Sequence, residues 1–481
     1  MTQIDFYTIM PISVLVLCAS LLLLIEAFYP KGKQKQIAFF AAFGFALTLG
    51  LSISQLGNSY SGFGGMVVLD GFSNFLNILF LLTGLLGVAL ASGYLQRMNI
   101  NKGEYYVLMM FSVAGMMLMS QATDLIITFL ALELLSIPLY VLAAFALNRT
   151  ESEEAGIKYF LLGSYATGFI VFGIALIFGA TATTSFAGIV AAIAQPATNL
   201  TLLLVGGGLV LVGFGFKVAT VPFHMWTPDV YQGAPTSVTA FMAAGAKAAG
   251  FSALLRIFAT LFPTLAADLM PILAVLSALT MIVGNITAIA QTDIKRMLGY
   301  SSIAQAGYIL MAFVPFGDPA IRATAVAAGL FYLVAYTITS FGSWGVVIGL
   351  EREEGKGLDI NDYAGLGKKY PWLALAMTVF MFSLAGLPPT LGLVGKFYLF
   401  RAIMEGKLYW LALIGVITSL ISAYYYLRVI VIMYFKDGDP IINKDNLLYL
   451  SIALCVVITV VMSFMPSFLF SWASSAILTM F

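Results

Sequence analysis

Charge is scarce in this chain. Of 481 residues only 9% are Asp, Glu, Lys or Arg, while 61% are hydrophobic. That balance lies far outside the soluble range and matches a polytopic helical membrane protein. The 22 acidic and 23 basic residues leave a net charge of +1, so no basic field points to nucleic acid. Cysteine is almost absent: Cys18 and Cys455 lie in apolar runs without CxxC or Cys/His spacing, which argues against an iron–sulfur or zinc site. There is one histidine, His224. The apolar run over 6–28 is too long for a signal-peptide core, and YPKGKQKQ follows it in place of a small-residue cleavage site, so it reads as the first transmembrane helix.

What the sequence does hold is a series of apolar runs of about 20 residues, which polar or Gly/Pro breaks cut into about 14 helices. The segment 183–194 is apolar but too short to cross, and reads as a surface or re-entrant helix. Alternate loops carry the basic residues: Lys31, Lys33 and Lys35; Arg97 and Lys102; Arg149; Lys295 and Arg296; Arg352, Lys356, Lys368 and Lys369; Lys436 and Lys444. The positive-inside rule makes those loops cytoplasmic, and an even helix count then puts both termini on the outer side.

A weak internal repeat supports this layout. Thr123-Asp124-Leu125 and Thr292-Asp293-Ile294 each open a helix, and YFLLGSYATGF from Tyr159 is similar to FYLVAYTITSF from Phe331. A proline-interrupted run with Lys217 then matches one with Lys396, although Lys217 precedes Pro222 whereas Lys396 follows Pro388 and Pro389. Five helices per unit is an odd number, so the second unit enters the membrane from the opposite side, the inverted repeat of transporters with discontinuous helices. The expected organisation is helices 1–3 in residues 1–104, a first unit (helices 4–8) in 105–262, a second (helices 9–13) in 263–434 and a last helix in 435–481.

An ionised side chain near the bilayer centre costs about 2.5–3.5 kcal/mol on insertion scales, so an intramembrane charge is a functional candidate. Glu133 in FLALELLSIPLYVL, Lys217, Lys247 in FMAAGAKAAGF and Lys396 all fall near mid-membrane, with His224, Lys158 and Arg256 nearer the interfaces. Pro222 removes a helical donor just after Lys217, and irregular backbone at membrane depth needs protein or a wet cavity around it. Glu133 and Lys217 are expected within ion-pair or one-water distance, either as a silent pair locking two helices or as a proton switch, because moving a carboxylate changes a lysine's proton affinity. His224 reads either as part of that path or as a satisfied polar residue at the break. Arg256, Arg401 and Arg428, toward helix ends, read as snorkelling.

FKVATVPFHMWTPDVYQGAPT, preceded by FLALELLSIPLY and followed by IKRMLGYSSIAQAGY and SLAGLPPTLGLVGKFY, closely resembles the N-type membrane subunits of the proton-pumping NADH:quinone oxidoreductases, complex I. The likeness covers nearly the whole chain, and the TPDVYQGAP string separates it from the related L and M types and from Mrp antiporter subunits. The resemblance implies an all-α, antiporter-like fold of 14 transmembrane helices with two inverted five-helix units, each holding a broken helix. It also implies proton translocation through Glu133 and Lys217 as the pair of the first half-channel, Lys247 as central relay and Lys396 as the lysine of the second half, with His224 beside them. Gln305 departs from those N subunits that place a histidine there, leaving proton transfer at that point to water or neighbours. The implied setting is the inner (cytoplasmic) membrane, among an adjacent M-type subunit and small subunits such as K, J and A. NAD, FMN, iron–sulfur clusters and quinone would sit in partner subunits, with no cofactor or metal in this chain. A Mrp-type cation/proton antiporter subunit and a quinone-binding membrane subunit are the alternatives.

Overall fold

The computed structural model of the chain describes residues 2–28, 35–261, 265–352, 355–476 and 478–479; Lys31 and Lys33 lie outside them, as does the side chain of Lys35. Two long helices open the chain, α1 (Gln3–Phe28) and α2 (Lys35–Ser54), followed by a small antiparallel hairpin of β1 (Tyr60–Gly62) and β2 (Val67–Leu69). The hairpin delivers Asp70, whose carboxylate caps α3 (Gly71–Arg97) in a reciprocal capping box with Ser73.

The first repeat unit comprises α4 (Glu104–Gln121), α5 (Leu125–Ala143), α6 (Thr150–Thr181), a lateral α7 (Phe186–Ile193), the interrupted pair α8 (Leu200–Val218) and α9 (Trp226–Gly233), and one span made of α10 (Thr236–Phe241), a π-helical turn at Met242–Ala246 and α11 (Lys247–Leu261). The second follows with α12 (Ala266–Ile289), α13 (Ile294–Met311), α14 (Pro319–Leu350), a short α15 (Leu366–Lys369), the interrupted pair α16 (Pro371–Ala385) and α17 (Leu391–Glu405), and α18 (Tyr409–Phe435). The chain closes with α19 (Asn446–Phe464) and α20 (Pro466–Ser475). Twelve of these spans are long and apolar enough to cross a membrane. With α4, and with α16 and α17 as one interrupted span, the crossings among the described residues reach the fourteen expected.

The repeat is written in backbone hydrogen bonds. Asp124 caps α5 and forms an isolated antiparallel bridge with Ser185; Asp293 caps α13 and bridges Asp359 in the same way. Around the first, Leu125 N–H donates to the Thr184 carbonyl at 3.0 Å and Phe186 N–H to that of Thr123 at 3.0 Å. Around the second, Ile294 N–H donates to Leu358 at 2.8 Å and Ile360 N–H to Thr292 at 2.9 Å. The Thr-Asp pair thus plays one role twice: its aspartate satisfies the orphan donors of a helix start, and its flanking backbone clips a later segment of the same unit. The first copy sits beside the hairpin, Thr123 N–H donating to Met66 at 3.0 Å. The second sits on the face where Lys295 reaches Ala234.

Sequence and structure part at the C-terminus, where the single last helix expected in 435–481 is two helices. The first stops at Phe464 and the second starts at Pro466 as α20, since proline cannot donate the next helical hydrogen bond but fits a first turn.

Candidate functional site

Both breaks end the first half-helix on a left-handed residue. Ala219, at φ 62°, closes α8, and Gly386, at φ 84°, closes α16. In each case the last turn leaves carbonyls without an intrahelical donor, and in the second unit those carbonyls hold the lysine. Lys396 Nζ donates to Leu384 O and Ala385 O, both at 3.0 Å, and to Ser419 Oγ at 2.9 Å, with the Tyr308 ring 4.5 Å away. The negative end of a half-helix thus faces a buried cation.

Lys217 lies in the last turn of α8, directly before its own break. Its ammonium donates to Ser136 Oγ on α5 at 2.8 Å and to Tyr159 Oη on α6 at 3.1 Å. Glu133, one turn from Ser136 on α5, accepts instead from Thr167 Oγ1 at 2.8 Å. No ion pair joins Glu133 to Lys217 among the described residues: lysine and carboxylate reach the same stretch of α5, each held by hydroxyls.

Lys247 follows the π-helical turn in a span buried along its whole apolar window. It donates to the Ser302 carbonyl at 2.7 Å and to Ser302 Oγ, which also accepts from Tyr336 Oη at 2.9 Å. One turn further along α13, Gln305 Nε2 donates to Leu384 O at 2.9 Å and to Tyr426 Oη at 3.2 Å, and its Oε1 accepts from Tyr332. Leu384 O is therefore shared by Gln305 and Lys396. Two polar clusters thus lie one turn apart on α13, one holding Lys247 through Ser302 and the other meeting Lys396 through Gln305 and Leu384 O.

His224 lies in the connection between α8 and α9, buried, with Nδ1 lacking a hydrogen-bond partner among the described residues. Among the described residues no hydrogen bond or ion pair joins its side chain to the lysines. Arg256 corrects the sequence reading: it does not snorkel. Its side chain is 1% exposed and forms a two-pronged pair with Asp70, Nη1 to Oδ2 at 3.0 Å and Nη2 to Oδ1 at 2.8 Å. Thr479 adds a backbone donor at 3.0 Å and a hydroxyl at 2.8 Å to Oδ2. Arg428 donates to the carbonyls of Ile289 and Gln291 at the end of α12, and Arg401 pairs with Glu405 at 2.8 Å on the surface. On the face that carries most basic loops, a cavity of about 550 Å³ is lined by Arg149, Lys158, Asp229, Asp293, Lys295 and Glu351.

The hydroxyl partners are what sequence reasoning missed. Ser136, Tyr159, Thr167, Ser302, Tyr332, Tyr336, Ser419 and Tyr426 hold or link the charged groups, yet isolated hydroxyls are ordinary in membrane helices. The pairing of YFLLGSYATGF with FYLVAYTITSF was the only signal, since it carries Tyr159 and Tyr332 and Tyr336.

Discontinuous helices, inverted five-helix units and a file of buried lysines define a polytopic membrane protein of the antiporter-like class. Residues 122–422 match the family described as NADH:quinone oxidoreductase/Mrp antiporter, TM. The chain is 47% identical to NADH-quinone oxidoreductase subunit N of Trichlorobacter lovleyi, over 96% of this chain and 94% of that one, and 44% identical to the subunit N of Chloroflexus aggregans, over 97% and 96%. Among solved structures, a chain of respiratory complex I from Thermus thermophilus matches with TM-score 0.83 and 33% identity, over 96% of this chain and 99% of that one. A chain of the Mrp complex from Dietzia sp. matches with TM-score 0.86 at 21% identity, over 99% and 97%, and shares the fold. The chain belongs to the NADH-quinone oxidoreductase subunit N family.

Proposed function

We propose that this chain is a proton-translocating subunit in the membrane arm of an NADH:quinone oxidoreductase, carrying protons on Glu133, Lys217, Lys247 and Lys396 while electrons move in other subunits. The observation that supports it is the company the lysines keep. All three are buried, and each is held by neutral hydroxyl or carbonyl oxygens in place of a carboxylate. Arg256, which takes a carboxylate partner through both terminal nitrogens, shows what a structural cation looks like in the same protein. A lysine without a fixed counter-charge can gain or lose its proton as water and neighbouring charges shift.

In this reading His224 serves the first half-channel from the break, and Gln305 bridges the central lysine to the second half without itself carrying charge. The chain has no redox cofactor of its own: NAD, FMN, iron–sulfur clusters and quinone belong to other subunits, and its neighbours are an M-type subunit and small subunits such as K, J and A. It lies in the inner (cytoplasmic) membrane with both termini outside. The test is Lys247→Ala in the whole complex, reconstituted in vesicles, with electron transfer and the proton gradient measured together. The expected result is an assembled complex whose proton pumping falls about tenfold or more, and Lys247→Arg, unable to release its proton readily, restores little. Unchanged turnover and unchanged pumping per electron in Lys247→Ala would remove that lysine from the path.

A further inference from the structure

Lys217 sits inside a closed ring of contacts that includes no carboxylate. Its ammonium donates to Tyr159 Oη at 3.1 Å and lies 5.5 Å from the centre of that ring. Tyr159 is buried and stacks on Trp226, with ring centroids 4.6 Å apart and planes 10° from parallel. The indole N–H of Trp226 then donates at 2.9 Å to the carbonyl of Phe216, the residue immediately before Lys217. From backbone to carbonyl, indole, phenol and ammonium, the path returns to the residue where it began. Trp226 opens α9, across the break from α8, so the ring forms only because the helix is interrupted.

Tyr140 closes the other side of the phenol, edge-on at 4.8 Å and 87°, so Tyr159 has little freedom to swing away. Tyr231, also on α9, meets the indole edge-on at 5.9 Å. Asp229, between them in sequence, pairs with Lys158 on α6 at 3.0 Å and with Arg296 on α13 at 2.7 Å. The second half-helix is thereby linked by ion pairs to both repeat units, and its tryptophan in turn holds the tyrosine.

We infer that Tyr159, set in place by Trp226, is a positioning residue that competes with Glu133 for the Lys217 ammonium. With the ring closed, the lysine is held by Tyr159 and Ser136 while Glu133 rests on Thr167. With the ring open, the lysine is released toward the carboxylate one turn along α5. Movement of α9 relative to α8 would therefore decide which partner the lysine has. This rests on the proposal that Glu133 and Lys217 carry protons, and adds the element that switches them.

The experiment uses the whole complex in vesicles with four variants: Tyr159→Phe, Trp226→Phe, Glu133→Gln and the double variant Tyr159→Phe with Glu133→Gln. Tyr159→Phe keeps the stack but removes the hydroxyl. A hydrogen bond to a charged group is worth enough to shift a balance between two arrangements by about tenfold, so pumping per electron should fall several-fold with its pH profile displaced along the pH axis. Trp226→Phe, which keeps an aromatic but loses the indole N–H, should displace the profile in the same direction by less. In the Glu133→Gln background the Tyr159→Phe displacement should vanish, because the competitor is gone. A role in packing alone would lower assembly or turnover equally in both backgrounds and leave the profile in place, and that result overturns the inference. Silent Tyr159→Phe and Trp226→Phe beside a Glu133→Gln that abolishes pumping would overturn it while leaving the proton path intact. A silent Glu133→Gln would instead reject the path at that residue.

Discussion

A charge buried in this protein has one of two environments, and Arg256 and Lys247 exemplify them nine positions apart on one helix. Arg256 faces Asp70, whose carboxylate takes two guanidinium prongs, the Ser73 N–H that caps α3, and both donors of Thr479. Both carboxylate oxygens of Asp70 are thus saturated with donors. Removing one partner leaves an uncompensated buried charge, so Asp70→Ala is expected to cost about 3–5 kcal/mol, read as loss of assembled complex and a lower thermal unfolding temperature in detergent. Replacing both, as Asp70→Leu with Arg256→Met, is expected to recover most of that, because apolar groups of similar volume avoid the desolvation cost. Thr479→Val, which removes only a hydroxyl donor, should cost about 1 kcal/mol. The lysines were legible in the sequence because a cation stands out in an apolar run. Arg256 was misread because its position near a helix end resembled that of an interfacial residue, while its partner lies 186 positions away, beyond the reach of local pattern.

At the scale of helices, the breaks were legible and the reason is instructive. Proline alone does not interrupt a helix here: Pro11, Pro138 and Pro271 lie inside continuous α1, α5 and α12. The two breaks combine proline with a residue that turns left-handed, Ala219 in one and Gly386 in the other. Glycine supplies that conformation without penalty, whereas alanine there is strained, which marks the first break as the one the surrounding structure has to enforce. The π-helical turn at Met242–Ala246 was not legible, since its small residues suit an ordinary close-packed helix equally well. Close packing itself can be tested on the repeat-related pairs α4–α5 and α12–α13. A methyl group on Gly115 would stand 2.4 Å from the Leu135 backbone nitrogen, and one on Gly284 would stand 2.6 Å from that of Ala304. Gly208, on α8, has nothing within 4 Å. Gly115→Ala and Gly284→Ala are therefore expected to destabilise by about 1–3 kcal/mol through overpacking, and Gly208→Ala to be neutral or slightly stabilising, as measured by thermal unfolding of the purified protein. Gly115→Ala should in addition depress pumping, since α5 carries both Glu133 and Ser136.

Across the whole molecule, contacts sort the connecting segments onto two faces, and the sorting agrees with the loop charges. On one face Asp5 of α1 accepts from the hairpin at Phe63, Thr123 is tied to Met66, Asp124 bridges Ser185, and Thr479 reaches Asp70. On the other, Arg97 donates to Ile348 O, Arg149 pairs with Glu351, Lys368 pairs with Asp437, and Asn443 reaches Glu351. Among the described residues, the basic loop residues read from the sequence gather on the second face. What counting could not give was the stitching of loops distant in sequence, which depends on carbonyls and carboxylates that any loop contains. By the positive-inside rule the second face would be the cytoplasmic one, and that proposed orientation predicts a labelling pattern. Cys18 and Cys455 sit within α1 and α19, the first half-buried and the second buried, so single cysteines placed in loops should report above a low background. Asn58 and Gln195 are exposed on the hairpin side, Lys102 and Lys444 on the other. In intact cells stripped of their outer layers, a membrane-impermeant maleimide is expected to label Asn58→Cys and Gln195→Cys, and to label Lys102→Cys and Lys444→Cys only in inside-out vesicles. The reverse pattern would invert the orientation and leave the fold untouched. A mixed pattern, with Asn58→Cys and Gln195→Cys on different sides, would instead contradict the number of crossings between them, and with it the assignment of Glu133 and Lys217 to one half-channel.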